Sequence, residues 1–396
     1  MKTLRFVFTT TFYPPYHLGG DAVHVKYLAE ELIKNGHEVH VLHSLDAFRL
    51  KKGLFLESIE SEGVQTHPLR TIFGISSYSA YLFGNSSFVT RSFKSLVDKV
   101  KPDIVHHHNI SLLGFNLLKK QHEYMNIYTC HDSWLVCQQN VLLKNGKKPC
   151  QSRACFSCSL RCGKPPQIWR QRRAFNNAIK ELDLMIAPSN FVSDRISESF
   201  RLKTVTIPNF VPKPPSEIEQ SNFSNYFLYA GALEKHKGII DLVNVFKELE
   251  TDAKLLIAGS GSLRPQIEEF TTVNNLTGKI VLLGWVDYNL MCKLLKNANA
   301  LLVPSVCPEN CPMIVLEALS VGTPAIGSNI GGLPEILNKV SPNLLFNNLS
   351  ELKNILSGFS KNDYSSSKIR NIYEAYFSPE AYIAKYFEAI ATIRNN

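Results

Sequence analysis

The sequence predicts an α/β protein built from two doubly wound, mainly parallel sheets, and three observations carry that expectation. Short apolar runs rich in β-branched residues alternate with helical patterns from end to end. At 396 residues the chain is too long for one ordinary core and suits two domains of roughly 150–200 residues each. A proline-rich polar run, Val211-Pro212-Lys213-Pro214-Pro215-Ser216, interrupts the alternation and continues polar to Asn225. The expected organisation is therefore a domain over 1–210, a linker over 211–225, a second domain over 226–377, and a terminal helix over 378–396.

In the first domain the strands are expected at Leu4–Thr10, Glu38–Ser44, Asp103–Asn109, Asn126–His131, Leu184–Pro188 and Thr204–Pro208. Between the first two, Val25, Leu28, Ala29, Leu32 and Ile33 repeat at helical spacing, so a helix is expected from about Asp21 to Asn35. Gly36 then reads as its left-handed cap. In the second domain the strands are expected at Tyr226–Ala230, Lys254–Ala258, Ile280–Leu283, Ala300–Pro304, Pro324–Gly327 and Asn343–Phe346. From Pro379 to Ile393 the residues Tyr382, Ile383, Tyr386, Phe387, Ile390 and Ile393 mark one face of a closing helix. Ligands of doubly wound sheets bind beyond the carboxyl ends of the strands, so function is expected on the loops there.

Composition is that of a soluble globular chain, 44% hydrophobic and 19% charged, without an 18-residue apolar stretch. The apolar N-terminus is short and runs into Pro14-Pro15, which suits a buried strand better than a signal peptide, so a cytoplasmic location is expected. Residues 1–210 carry 27 Lys and Arg against 16 Asp and Glu, whereas the remainder carries 16 against 18. A basic half beside a neutral one points to an anionic partner, such as a lipid phosphate or membrane surface at the inner face, or to a merely solvated basic face. No zinc-finger, RNP or helix-turn-helix pattern supports nucleic acid.

The most informative segment is Pro304-Ser305-Val306-Cys307-Pro308-Glu309-Asn310-Cys311-Pro312-Met313-Ile314-Val315-Leu316-Glu317-Ala318. A strand ends at Ser305, and a helix starts with Pro312 in its first turn, where free N–H groups favour an anion. Glu309 before the helix and Glu317 within it are spaced to reach one polar ligand, and carboxylates accept hydrogen bonds from sugar hydroxyls. The plain alternative is a capping glutamate and an ordinary helical one. A second segment, Gly231-Ala232-Leu233-Glu234-Lys235-His236-Lys237-Gly238, offers a strand-end glycine and a lysine suited to a phosphate. A third, Pro14-Pro15-Tyr16-His17-Leu18-Gly19-Gly20-Asp21, opens a helix with two glycines but is not a dinucleotide-binding fingerprint. His131-Asp132 ends a strand. In the run His106-His107-His108, alternation sends neighbours to opposite faces, which argues against a metal site.

These segments, followed by Gly331-Gly332-Leu333-Pro334-Glu335, resemble the E-x7-E signature and flanking motifs of glycosyltransferase family 4, retaining enzymes of GT-B architecture. The resemblance spans nearly the whole chain. It implies two Rossmann-like domains facing across a cleft, with a C-terminal helix crossing back to the first. By that resemblance Glu309 and the backbone of Asn310, Cys311, Pro312 and Met313 contact the donor sugar, and Glu317 holds a ribose hydroxyl. Gly231 and Lys237 lie at the diphosphate, where the family's usual arginine is here Ala232; Lys235 or His236 would have to compensate. Gly19 and Gly20 correspond to a mobile loop over the donor phosphate. His131 matches a histidine that contacts the donor sugar and positions the acceptor, Asp132 would orient it or bond the acceptor, and Trp285 and Val286 border the base.

The implied activity is hexosyl transfer from a UDP- or GDP-sugar to a glycan or lipid-linked acceptor in cell-surface polysaccharide assembly, without a catalytic metal. Glu309, Lys237 and His131 are the expected catalytic residues. Two rivals remain: a nucleotide-sugar-binding protein that has lost catalysis, which Ala232 keeps open, and a UDP-sugar epimerase of the same fold. Five of nine cysteines crowd into an insertion over about 133–166. Cys150, Cys155, Cys158 and Cys162, with Cys137, suggest a structural zinc site, with inert thiols as the alternative. Arg153, Arg161, Lys164, Arg170, Arg172 and Arg173 make this insertion a basic flap suited to a polyanionic acceptor.

Overall fold

The computed structural model describes residues 3–52, 63–146, 148–150, 154–200 and 204–394. Arg153, one of the flap cations, lies outside the described residues. The chain divides into two compact units, residues 1–207 with 383–396, and residues 208–382.

The first unit holds β1 (Arg5–Thr9), β2 (Glu38–Ser44), β3 (Gln65–Leu69), β4 (Ile104–His107), β5 (Met125–Thr129), β6 (Leu143–Lys144), β7 (Lys148–Pro149), β8 (Leu184–Ala187) and β9 (Val205–Thr206). Seven of these form one sheet in the order β3-β2-β1-β4-β5-β8-β9, and β6 and β7 form a separate antiparallel hairpin. Every pairing in the seven-stranded sheet is parallel. Parallel strands covered on both faces must be apolar throughout, and β1, with Phe6, Val7 and Phe8 fully buried, meets that demand. The helix Gly20–Lys34 buries Ala22, Val25, Leu28, Ala29 and Leu32 as its periodicity predicts, and it also buries His24. It closes on Gly36 at φ 82, whose N–H donates to Ile33 O while that of His37 donates to Leu32 O.

The second unit holds β10 (Tyr226–Ala230), β11 (Lys254–Ala258), β12 (Ile280–Gly284), β13 (Leu301–Val303), β14 (Ala325–Ser328) and β15 (Leu345–Phe346). They form one parallel sheet in the order β12-β11-β10-β13-β14-β15. Residues 208–225 belong to this unit, tied down where Val211 N–H donates to Phe377 O and Tyr373 Oη donates to Val211 O. The closing helix spans Pro379–Arg394, and from residue 383 it counts with the first unit. There Tyr386 meets His106 and Phe387 packs against His37.

Strand order reverses direction at β1/β4 in the first sheet and at β10/β13 in the second. At such a switch point the connections leave on opposite faces and open a crevice beyond the strand ends. The loops after β1, β4, β10 and β13 carry Gly19–Gly20, His108, Lys237 and Glu309 respectively.

Candidate active site

In the second unit, β10 runs into Gly231 and a short turn, Lys235–Lys237, before the helix Ile239–Glu248. The reversal needs Gly238, which sits at φ 69 and lies so close to Pro304 that a Cβ would strike its carbonyl oxygen. Val306 N–H donates to His236 O at 3.0 Å, so the loops after β10 and β13 are joined through backbone. That junction brings Lys237 Nζ to 2.6 Å from Glu309 Oε1. Ser305 Oγ donates to the same oxygen at 2.6 Å. Burial lowers the Lys237 pKa, but the Glu309 carboxylate more than offsets it, leaving the ammonium above its ordinary value. The Glu309 backbone is held from behind: Gly332 N–H donates to its carbonyl at 2.6 Å, and Gly331, at φ 66, abuts it where a Cβ would collide. The Gly331-Gly332 pair thus supports Glu309, a role its sequence gave no means of reading.

The helix begins at Met313, with Pro312 as an extended residue just before it rather than in its first turn. Pro312 lacks an N–H and its φ of −69° suits a helix start, so the chain enters there without an orphaned donor at that residue. Cys311 points into the core, its thiol pushed up to about 12 by burial, and its carbonyl accepts from Asn209 Nδ2 at 3.1 Å. Glu317 is half-buried on the helix, and burial pushes its pKa up to about 7. Val286 packs against the core, and Trp285 is exposed. His236 is kept below its usual pKa by burial and by Lys237, so at neutral pH it brings no positive charge to replace the missing arginine. Exposed Lys235 is the remaining cation of that turn.

In the first unit, β5 ends at Thr129, two residues earlier than the sequence suggests, and His131 lies on the loop beyond it. Its Nε2 is 2.9 Å from His108 Nδ1. The two rings are 23° from coplanar with centroids 5.1 Å apart, the arrangement of an in-plane N–H···N link. His106 and His108 share one face of the sheet edge, with His106 bonded to Thr129 Oγ1 at 2.8 Å and to Tyr386 Oη at 2.9 Å. His107 faces the other way, bonded to Thr9 Oγ1 and packed on Phe93. Among the described residues His108 Nε2 has no hydrogen-bond partner. His108 Nδ1 and His131 Nε2 therefore share one proton, and whichever ring carries it there is the donor. Burial keeps these rings neutral, with His106 and His108 well below the usual histidine range and His131 at about 4.

Gly19 is the residue before the helix Gly20–Lys34, and both glycines are exposed. Asp21 in the first helical turn accepts from Asn109 Nδ2 at 2.9 Å. Asp132, expected to orient His131 or bond the acceptor, accepts the Trp134 N–H at 2.9 Å and the Asn140 amide at 3.1 Å. It shapes the loop, and His108 is the oriented partner of the histidine. Burial pushes the Asp132 pKa up to about 7, despite the Trp134 bond.

The flap needs one correction. Arg170 does not face an acceptor: it donates to Trp134 O, Leu135 O and Gln167 Oε1, and lies over the rings of Trp134 and Trp169. A guanidinium with five donors can close a loop from inside, and that is its use here. Cys150, Cys155, Cys158 and Cys162 form no disulfide. Among the described residues no three His, Cys, Asp or Glu side chains could hold a metal ion together. Cys155 and Cys158 sit on the helix Cys155–Arg161 and Cys162 just after it, at a spacing that puts them on one side of the helix. Cys137, Cys150, Cys155 and Cys158 line a small cavity of about 190 Å³.

Comparison with known proteins agrees with this architecture. Residues 18–213 match the family model described as Glycosyltransferase Family 4, and residues 215–362 match that of glycosyl transferases group 1. A glycosyltransferase of Methanocaldococcus jannaschii is 26% identical over 359 residues, covering 84% of this chain and 83% of its own. The structure of sucrose-phosphate synthase from Thermosynechococcus elongatus superposes with a TM-score of 0.75 at 18% identity, over 99% of both chains. Anabaena HepE, solved in complex with UDP and glucose, gives 0.67 at 14% identity over 98% of this chain and 100% of its own. With both halves matched in order and the GT-B fold shared along the full length, the chain belongs to the family 4 glycosyltransferases.

Proposed function

We propose that this glycosyltransferase moves a hexosyl group, with retention of anomeric configuration, from a UDP-sugar to a glycan or lipid-linked acceptor. The observation that carries the reading is the Lys237–Glu309–Ser305 constellation at the β10/β13 switch point. A half-buried ammonium fixed by two joined loops is preorganised to meet diphosphate charge as it develops on the leaving group. Glu309 and the N–H groups opening the helix Met313–Ser320 would hold the hexose, and Glu317 a ribose hydroxyl. Lys235 would supply the second cation that Ala232 cannot. UDP is chosen over GDP because the Anabaena protein of like fold was solved with UDP.

His131 would hydrogen-bond the sugar or acceptor, with Gly19 and Gly20 closing on the donor phosphate. Among the described residues no carboxylate reads as a covalent nucleophile. The reaction proposed is therefore a front-face exchange: the glycosidic C–O bond to the diphosphate breaks, the acceptor oxygen bonds the anomeric carbon on the same face, and its proton passes to the departing phosphate oxygen. No catalytic metal is invoked.

A panel of UDP-, GDP- and ADP-sugars, read by thermal shift and by donor hydrolysis, tests the donor, because specific binding raises apparent stability by mass action. UDP-glucose or a related hexose should stabilise and be hydrolysed slowly. The Glu309→Ala variant should keep its fold and lose transfer by about 100-fold or more. Turnover near that of the parent would refute the assignment. Tight nucleotide binding with no hydrolysis or transfer would favour a binding protein that has lost catalysis, the reading that Ala232 supports.

A further inference from the structure

A cavity of about 780 Å³ opens in the first unit, at the edge of the sheet opposite the candidate active site. Arg5 and Met125 open β1 and β5, and Asp103 and Asp183 stand just before β4 and β8. All four mark the amino ends of parallel strands, whereas Gly19, His108 and His131 lie beyond the carboxyl ends. At about 3.3 Å per residue, the four or five residues of β1, β4 and β5 separate the two edges by roughly 15 Å. Nothing in the transfer chemistry uses this side of the sheet.

Three segments wall the cavity: the end of the helix Ser87–Val100, the chain entering β5, and the end of the closing helix. Val97, Tyr124, Met125 and Ile393 give it an apolar side. Among the described residues its basic groups are Arg5, Lys101, Lys120 and Arg394, and its carboxylates are Asp98, Asp103, Glu123 and Asp183, four against four. That balance is local, because residues 1–210 as a whole carry 27 Lys and Arg against 16 Asp and Glu. Several of these groups are held in place by the backbone or by one another. Arg5 Nη1 donates to Val100 O at 2.8 Å, and Asp103 Oδ2 accepts the Arg5 N–H at 2.8 Å. Asp183 accepts the Asn126 N–H at 2.7 Å and Lys120 Nζ at 2.9 Å, and Asp98 is bonded to His122 Nε2 at 2.5 Å. A guanidinium has five donors and a carboxylate about four acceptor sites, so these side chains keep bonding capacity to spare.

We propose that this cavity is a secondary binding site for a neutral oligosaccharide, holding the glycan on which the enzyme acts away from the catalytic loops. A hydroxyl both donates and accepts, so a polyhydroxylated chain is served by basic groups and carboxylates side by side, while its C–H faces pack on an apolar wall. An anion would meet four carboxylates and a cation four basic groups, so the charge balance disfavours both. The volume lies within the range of about 300–1,000 Å³ typical of small-molecule pockets. A glycan held here would be kept at high effective concentration near the loops after β4 and β5 without any change in the chemical step. The choice of a glycan rests on the sugar-transfer reading, whereas the two-sign lining of the cavity does not.

Saturation-transfer NMR on the full-length protein, without donor, would use maltotriose, cellotriose, mannotriose and galactotriose as probes. At least one should receive magnetisation from the protein. Glu123→Ala with Arg394→Ala, and Asp98→Ala with Lys101→Ala, should each weaken that binding about tenfold, the cost of two lost hydrogen bonds. All four side chains are exposed, so both variants should keep the parent melting temperature and hydrolyse UDP-glucose at the parent rate. Glu309→Ala should lose transfer and keep the signal, so failure of the transfer reading and failure of this site give different results. No signal with any of the four sugars, a signal that survives both cavity variants, or its displacement by excess inorganic phosphate, the mark of an anion site, would each overturn the proposal. A protein that binds a trisaccharide through these residues yet neither binds nor hydrolyses any nucleotide sugar would refute the transfer reading and uphold the site.

Discussion

In the second unit Lys237 and Glu309 meet as a charged pair at 2.6 Å, whereas in the first unit His108 and His131 meet at 2.9 Å as two neutral rings. Both contacts lie at or beside a topological switch point, and both are set by backbone that the sheet makes rigid. What differs is how each group answers burial. The lysine keeps its charge because a carboxylate accompanies it, while the histidines, packed against one another and Phe8, can only discard theirs. A retained positive charge suits a diphosphate. A neutral, oriented imidazole suits a hydroxyl, where hydrogen-bond direction matters and an extra charge would not help.

The largest effect should come from the charged side of this comparison. Lys237→Met keeps much of the side chain's length and removes the ammonium, leaving Glu309 with Ser305 alone. Transfer should fall by about 100- to 1000-fold, as for loss of one preorganised donor. Initial rates with labelled UDP-sugar would show it, and a loss under tenfold would mean that Lys235 carries the diphosphate instead. Next in size is Gly331→Ala. The left-handed φ and the collision with the Glu309 backbone should cost about 1–3 kcal/mol and loosen the carboxylate. Thermal melting should drop by several degrees and donor stabilisation should weaken in parallel; an unchanged melt would show that the loop can shift freely.

Acidification should separate the two units. In the first, His43, His106, His107, His108 and His131 all have folded pKa values below the ordinary 6.5. Between about 4 and 6.5 the unfolded chain binds protons that the folded rings refuse, so this contribution is intact above 6.5 and is lost as pH falls. Asp132, raised to about 7, acts oppositely but is one group against five. In the second unit Glu317, also raised to about 7, costs stability as pH rises from the ordinary carboxylate range, so acid should relieve it. Amide exchange at pH 5 against pH 7.5 should therefore loosen strands of the first sheet well before those of the second. Uniform loosening of both would break the contrast.

Much of this frame was legible beforehand, and the failures have physical causes. β10 and β11 fall within the bounds their apolar runs suggest, because strands buried on both faces show that pattern. β3 was not expected: Gln65-Thr66-His67-Pro68 is an exposed edge where proline and polar residues are tolerated. Glu309, Lys237 and His131 could be read as candidates from their place after strands. Their partners could not, since Lys237 and Glu309 stand 72 positions apart and Tyr386 meets His106 across 280. Arg170 was misread because a cation in a polar stretch looks solvated, and only packing reveals the three aromatic rings around it.

The smallest expected effect is the sharpest test of the neutral side. If His108 holds His131 in the tautomer with its proton on Nδ1, then His108→Leu removes that bond while leaving an apolar filler among Phe8 and His106. Transfer should fall only about three- to tenfold, a cost near that of one hydrogen bond, chiefly in kcat. His108→Asn places an amide N–H close to where Nδ1 stood and should recover most of the loss, which a packing defect would not. The decisive reading is spectroscopic: nitrogen-15 shifts of His131 should report a protonated Nδ1 in the parent and in His108→Asn, and a mixture of tautomers in His108→Leu. A His131 ring protonated on Nε2 in the parent protein would reverse the donor and acceptor of this pair, and with them the direction in which the histidine can serve a hydroxyl.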